Sequence, residues 1–166
     1  MSRLPIFLLL LALPSVAHDY VVADLHIIHP WIAAPPPGAV AAAGYVAIAN
    51  DGTTAERLIG IEADFAERAG IHEMTLAEDG VMQMRPVEGG LVIAPGDVLL
   101  LEPGVMHLMF IRLKEQPAAG ETRRATLVFE HAGRVEVEFH VEKAQDMDSH
   151  GEGHDMEDGM EMEETQ

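Results

Sequence analysis

Residues 70–87 read GIHEMTLAEDGVMQMRPV, two short runs on either side of Asp79-Gly80. On a strand, successive side chains point to opposite faces, so residues two apart share a side. Gly70–Met74 then carries His72 and Met74 on one face, and Val81–Val87 carries Met82 and Met84 on one face. An Asp-Gly turn between such runs is a hairpin signal, and it predicts that the two strands pair.

The same grammar extends along the body of the chain. Short apolar stretches recur at Leu25–Ile28, Gly44–Ala49, Leu58–Ala63, Val98–Leu101, His107–Leu113, Ala125–Phe129 and Val135–Val141. Between them lie turn formers: Asn50-Asp51-Gly52, Gly89-Gly90, Pro95-Gly96, Pro103-Gly104 and Ala132-Gly133. Short, evenly spaced strands with Gly and Pro punctuation predict an all-β antiparallel sandwich or barrel rather than alternating βα units. The one stretch compatible with a helix, Ala63–Arg68, is too short to change that class. Pro35-Pro36-Pro37-Gly38 reads as a stiff loop.

Met1–Ala17 has one basic residue, Arg3, an apolar run Leu4–Leu13, and small residues Ser15 and Ala17 before an expected cut. These are the parts of a signal peptide, with an apolar run too short to span a bilayer. Pro5 and Pro14 bracket the run and argue against a buried helix. The expected mature body, residues 18–143, is the size of one domain, and it reads as a monomer in the periplasm with no inserted segment. From Ala144 the chain reads AQDMDSHGEGHDMEDGMEMEETQ. Too polar to bury a core, this segment, 144–166, is expected to be a disordered acidic tail rich in Met and His. The formal charge of −18 disfavours nucleic acid and anionic membrane surfaces as partners.

The chain has no cysteine. An exported chain without it has no disulfide framework, and a blue-copper centre, which needs a thiolate, is disfavoured. His and Met remain. Imidazole and thioether together suit copper, above all copper(I), because soft ligands favour that ion while hard cations want oxygen. His72, Met74, Met82 and Met84 fall in one window at strand register, and His107 and Met109 begin a strand just after Pro103-Gly104. Two His and several Met can thus converge on one rim. Taken singly, methionine more often fills a core gap, and a lone His such as His131 or His140 more often forms an ordinary hydrogen bond. The coincidence of register, compartment and missing cysteine favours a site.

The stretch His72-Glu73-Met74 … Val81-Met82-Gln83-Met84-Arg85-Pro86-Val87 … Pro103-Gly104-Val105-Met106-His107-Leu108-Met109 resembles the periplasmic copper chaperone family called PCu(A)C. That family's motif is a His, a Met further on, and a closing His-x-Met; those places are held here by His72, Met84, His107 and Met109. His29-Pro30-Trp31 and Gly44-Tyr45 also resemble its N-terminal signature. Glu73 stands where the family often has Met, and the interval from Met84 to His107 is slightly longer than usual. The resemblance implies a cupredoxin-like Greek-key β-sandwich that carries copper(I) toward cytochrome c oxidase assembly, with oxidase subunit II and related assembly proteins as acceptors. Met74 and Met82 stand beside the four as accessory candidates.

Two neutral imidazoles and two thioethers make an uncharged shell suited to a monovalent soft ion, and only the two His impose pH dependence on it. In the tail, His150 and His154 with flanking carboxylates suit copper(II), and Met147, Met156, Met160 and Met162 suit copper(I). Cleavage after Ala17 would add an amine–imidazole chelate at His18. Three functions fit: a copper-delivery protein, a copper-sequestering or resistance protein without a specific acceptor, and a copper enzyme using His18. Delivery is favoured over catalysis, because the sequence has no nucleophile motif and no His-Glu-x-x-His.

Overall fold

The structure, a computed structural model, describes residues 19–77 and 80–143. Among these residues every regular element is a strand. In chain order they are β1 (Tyr20–Val22), β2 (Leu25–Ala33), β3 (Ala41–Asn50), β4 (Glu56–Glu62), β5 (Ala66–Leu76), β6 (Met82–Pro86), β7 (Leu91–Ile93), β8 (Val98–Leu101), β9 (Met106–Leu113), β10 (Thr122–Phe129) and β11 (Arg134–Glu142). The all-β expectation is met, and β5 and β6 pair as the expected antiparallel hairpin.

Strand pairing runs β6-β5-β9-β3-β2-β11-β10-β4-β7, with β1 added to β2 and β8 to β3. All neighbours are antiparallel except β2 and β11, where His140, Val141 and Glu142 run alongside Trp31, Ile32 and Ala33. The path folds over into a sandwich. Phe110 of β9 meets Phe139 of β11 edge to face at 6.1 Å, although two strands separate β9 from β11 along the path. Phe65, in the turn before β5, stacks on Phe110 at 4.8 Å. β11 shows the cause most clearly: in Arg134–Glu142, Val135, Val137, Phe139 and Val141 are buried and their neighbours are not, the period-two pattern of a strand with one face on a core.

β3 is shared. Its first half, Ala41–Gly44, pairs with β9, and its second half, Val46–Ala49, pairs with β8. The chain between β8 and β9 must therefore loop out beside Tyr45, and Glu102-Pro103-Gly104-Val105 does so, closed by a bridge from Glu102 to Met106. Gly104 sits at φ 85°, the left-handed region that glycine enters without strain.

Two expectations need correction, and two strands were not foreseen. Residues 63–68 are not helical: Asp64 and Phe65 make a turn, and Ala66 and Arg68 pair with Leu113 and Ile111 of β9. Burial of Phe65, whose carbonyl accepts the Lys114 N–H at 2.8 Å, outweighs the local helix preference of Ala, Glu and Arg. The short strands β1 and β7 have no periodic signal, being three residues each and fixed by pairing. The run from Leu25 does not stop at Ile28. It continues to Ala33 through a bulge at His29-Pro30, with His29 at φ 47°. The Pro35–Gly38 loop is clamped by Gln116, which donates from Nε2 to the Pro36 carbonyl at 2.8 Å and accepts from the Gly38 N–H at 3.3 Å.

Candidate metal centre

β5 and β9 each have two working faces. On one, Ile71, Leu108 and Phe110 enter the core. On the other, His72 stands directly opposite His107, their ring centroids 6.2 Å apart and their planes inclined by 32°. The same face carries Met109, opposite Gly70, and on β6 it carries Met84 opposite Met74, with Pro86 opposite His72. Register alone thus brings His72, Met84, His107 and Met109 to one surface, with Met74 and Met82 beside them. Gly70 keeps the surface open: a Cβ there would lie 3.8 Å from His72 Nε2, and a longer side chain would fill the space between His72 and Met109.

The electrostatics favour neutral imidazoles. Burial pushes the pKa of His72 down, and burial followed by the neighbouring His72 pushes that of His107 down. His107 is only 3% exposed. Nδ1 of His72 and Nε2 of His107 are both buried, and neither has a hydrogen-bond partner. Leaving such an atom unpaired costs about 1–3 kcal/mol, and in the tautomer with the proton on the other ring nitrogen each is a free lone pair that can ligate an ion. Among the described residues no three His, Cys, Asp or Glu come together, so a hard cation finds no oxygen cage there. The donors on this face are imidazole nitrogen and thioether sulfur, a set that fits a soft ion.

An aromatic flank completes the face. Tyr45 lies 6.4 Å from His107, and Trp31 lies 4.5 Å from Tyr45, both rings buried. Trp31, Tyr45, His107 and His72 thus form a row across β2, β3, β9 and β5. Burial raises the pKa of the Tyr45 hydroxyl. Tyr45 faces outward because Gly44 takes the inward position: a Cβ at Gly44 would lie 2.8 Å from Phe110 Cε2. The spacing of His and Met does not point to this flank; the alternation around Gly44 was the available signal.

Each expected site residue can now be placed. Met82 and Met84 are 49% and 45% exposed, Met74 and Met109 are half-buried, and His107, at the start of β9 as expected, is buried. Met106, opposite Glu73, packs against the core instead of joining the site. His131 is hydrogen-bonded, its Nδ1 3.1 Å from Oε1 of the buried Glu56. His18, Met147, His150, His154, Met156, Met160 and Met162 lie outside the described residues.

Comparison with known proteins shows the family and the fold that the chain shares. The sequence model of the LpqE-like lipoprotein family matches residues 25–141. A chain of Leifsonia xyli subsp. xyli (strain CTCB07) named as lipoprotein Lxx21020 is 32% identical over 99 residues, which make up 60% of this chain and 58% of that one. Among solved structures, the apo PCuAC domain from PmoF1 superposes with a TM-score of 0.66 at 28% identity, covering 76% of this chain and 99% of that domain. The copper-bound PCuAC domain from PmoF2 gives 0.64 at 26% identity, over 76% and 98%. The CuI form of DR1885 from Deinococcus radiodurans gives 0.55 at 25% identity, over 76% and 81%.

Proposed function

Because the chain belongs to the LpqE-like family and shares the fold of copper-bound PCuAC domains, we propose that it is an exported copper(I) carrier rather than an enzyme. Its ligands are His72, Met84, His107 and Met109. The observation that carries this reading is the pair of buried, unpartnered nitrogens, His72 Nδ1 and His107 Nε2, on the face that also bears the thioethers. The fold sets the two rings 6.2 Å apart on directly opposed residues, so holding an ion there asks for little rearrangement of the backbone. Exposure of Met84 on β6 leaves one side of the site open to an acceptor's ligands, and copper can pass by ligand exchange without unfolding.

The compartment is the periplasm, in keeping with the signal-peptide pattern of Met1–Ala17 and with relatives named as lipoproteins. The acceptor is the copper domain of a cytochrome c oxidase, following the family resemblance. Titration with a competing copper(I) chelator tests the site. One copper(I) should bind per chain in a protein ending at Lys143, and replacing both Met84 and Met109 with Ile should abolish tight binding while the circular dichroism spectrum stays unchanged. Unaltered affinity in that variant would refute the ligand assignment. Transfer to the isolated apo copper domain of an oxidase then separates delivery from sequestration.

A further inference from the structure

The copper(I) site proposed above leaves two methionines of the same face without a role. Beyond Glu73, which pairs with Met106, β5 leaves β9. The Met74 N–H donates to the Val105 carbonyl in the β8–β9 loop at 2.7 Å, and from there Thr75 and Leu76 pair only with Gln83 and Met82 of β6. A two-stranded ribbon therefore projects past the sheet, held by Thr75 Oγ1 donating to the Gln83 carbonyl at 3.3 Å and by Ala77 N–H donating to the Val81 carbonyl at 2.9 Å. Its ligand-bearing face holds Met74 directly opposite Met84, and Met82 diagonal to Met74.

Directly opposed side chains on neighbouring strands stand about 5 Å apart at Cβ and diagonal ones about 7–8 Å, both within reach of flexible thioethers. Exposure falls along the row: Met82 is 49% exposed, Met84 45%, Met74 is half-buried and His107 is 3% exposed. A methionine that serves as core filler is buried; Met82 and Met84 are not. We propose that Met82 and Met74 form a copper(I) entry and exit ladder, taking the ion from solvent or from another protein's ligands and passing it to the resting site at His72, Met84, His107 and Met109.

Each step forms one copper–sulfur bond as another ligand's bond to copper breaks. The ion stays copper(I) throughout, and no proton moves because thioethers do not titrate. Ligands used only in passage lower the barrier in both directions, so they change loading and release rates together and leave the equilibrium constant as it was.

The test rests on the resting-site reading and is arranged to separate the two. Full-length protein, Met74→Leu, Met82→Leu and the double variant are loaded with copper(I), and its withdrawal by bicinchoninate and its return are followed by stopped flow. Affinity is measured by competition with the same chelator. In the double variant both rates should fall by about tenfold, a rise of about 1.4 kcal/mol in the barrier, with affinity unchanged. Unchanged rates would overturn the ladder. A loss of affinity with faster release would also overturn it, because Met74 or Met82 would then be a resting ligand. Met84→Leu is the control for the site itself: if that change leaves affinity intact, it is the resting-site assignment that fails. Circular dichroism of every variant guards against misfolding.

Discussion

His72 and His107 face one another across adjacent antiparallel strands with ring centroids 6.2 Å apart, and each turns a buried nitrogen to a place where no protein group meets it. Burial disfavours protonation of both imidazoles, and the neighbouring His72 adds to that at His107. A site arranged in this way gives up stability when it is empty, and the first consequences to test follow from that.

Replacing His107 with Leu should stabilise the copper-free protein. The change removes a buried, unpaired nitrogen worth about 1–3 kcal/mol and puts an apolar side chain of similar reach against Tyr45. Urea melts with and without a copper chelator are the measurement. The variant should unfold at higher urea than the parent while binding no copper(I); a lower midpoint would show that the imidazole is satisfied in the empty protein.

Stability and copper affinity should both depend on pH through these two groups. Their folded pKa values lie below the ordinary histidine value of about 6.5, as burial dictates. Between that value and the folded ones the unfolded chain binds more protons at these two positions, so the protein loses stability as pH falls through the window, and the two groups contribute nothing above it. Copper(I) competes with protons for the same nitrogens, so tight binding should persist to lower pH than an exposed pair of His would allow. Histidine ring proton shifts followed by NMR, with melts at matched pH, check both. Midpoints at or above the ordinary value would contradict the burial seen here.

The two glycines of the site strands should respond oppositely to alanine. At Gly44 the new Cβ meets Phe110 at 2.8 Å, and an overpacked core costs about 1–3 kcal/mol. At Gly70 the nearest atom is 3.8 Å away, so Gly70→Ala should fold like the parent, whereas Gly70→Val should weaken copper(I) binding by crowding His72. Thermal melts and chelator competition on the three variants would decide. Equal stability losses at both positions would mean that the Phe110 contact does not limit β3.

The tail supplies a separate prediction from composition. Deleting residues 144–166, which contain His150, His154, Met147, Met156, Met160 and Met162, should lower the number of copper(II) ions bound and leave copper(I) affinity at the folded site nearly intact. Equal copper(II) binding by both forms, measured by titration, would point instead to His18 or to no copper(II) role at all.

Much of this protein was legible in its sequence because strand chemistry is local. Period-two runs between Gly and Pro turns identify an all-β fold, Asp79-Gly80 marks the β5–β6 hairpin, and His and Met at strand register, together with the family resemblance, single out His72, Met84, His107 and Met109 as candidate donors before any contact is known. What spacing does not encode is which strands become neighbours. β9 lies beside β5, and β3 is divided between β9 and β8, because burying Phe65, Phe110 and Phe139 in one core fixes long-range pairing. That pairing sets His72 against His107, brings up Trp31 and Tyr45, and turns residues 63–68 from a helical expectation into strand. Propensity acts over a few residues, whereas register between distant strands is settled by whichever arrangement buries the most apolar surface. The candidate donors were therefore legible in the sequence, and the desolvated face that leaves two of their nitrogens without a hydrogen-bond partner exists only in the folded sheet.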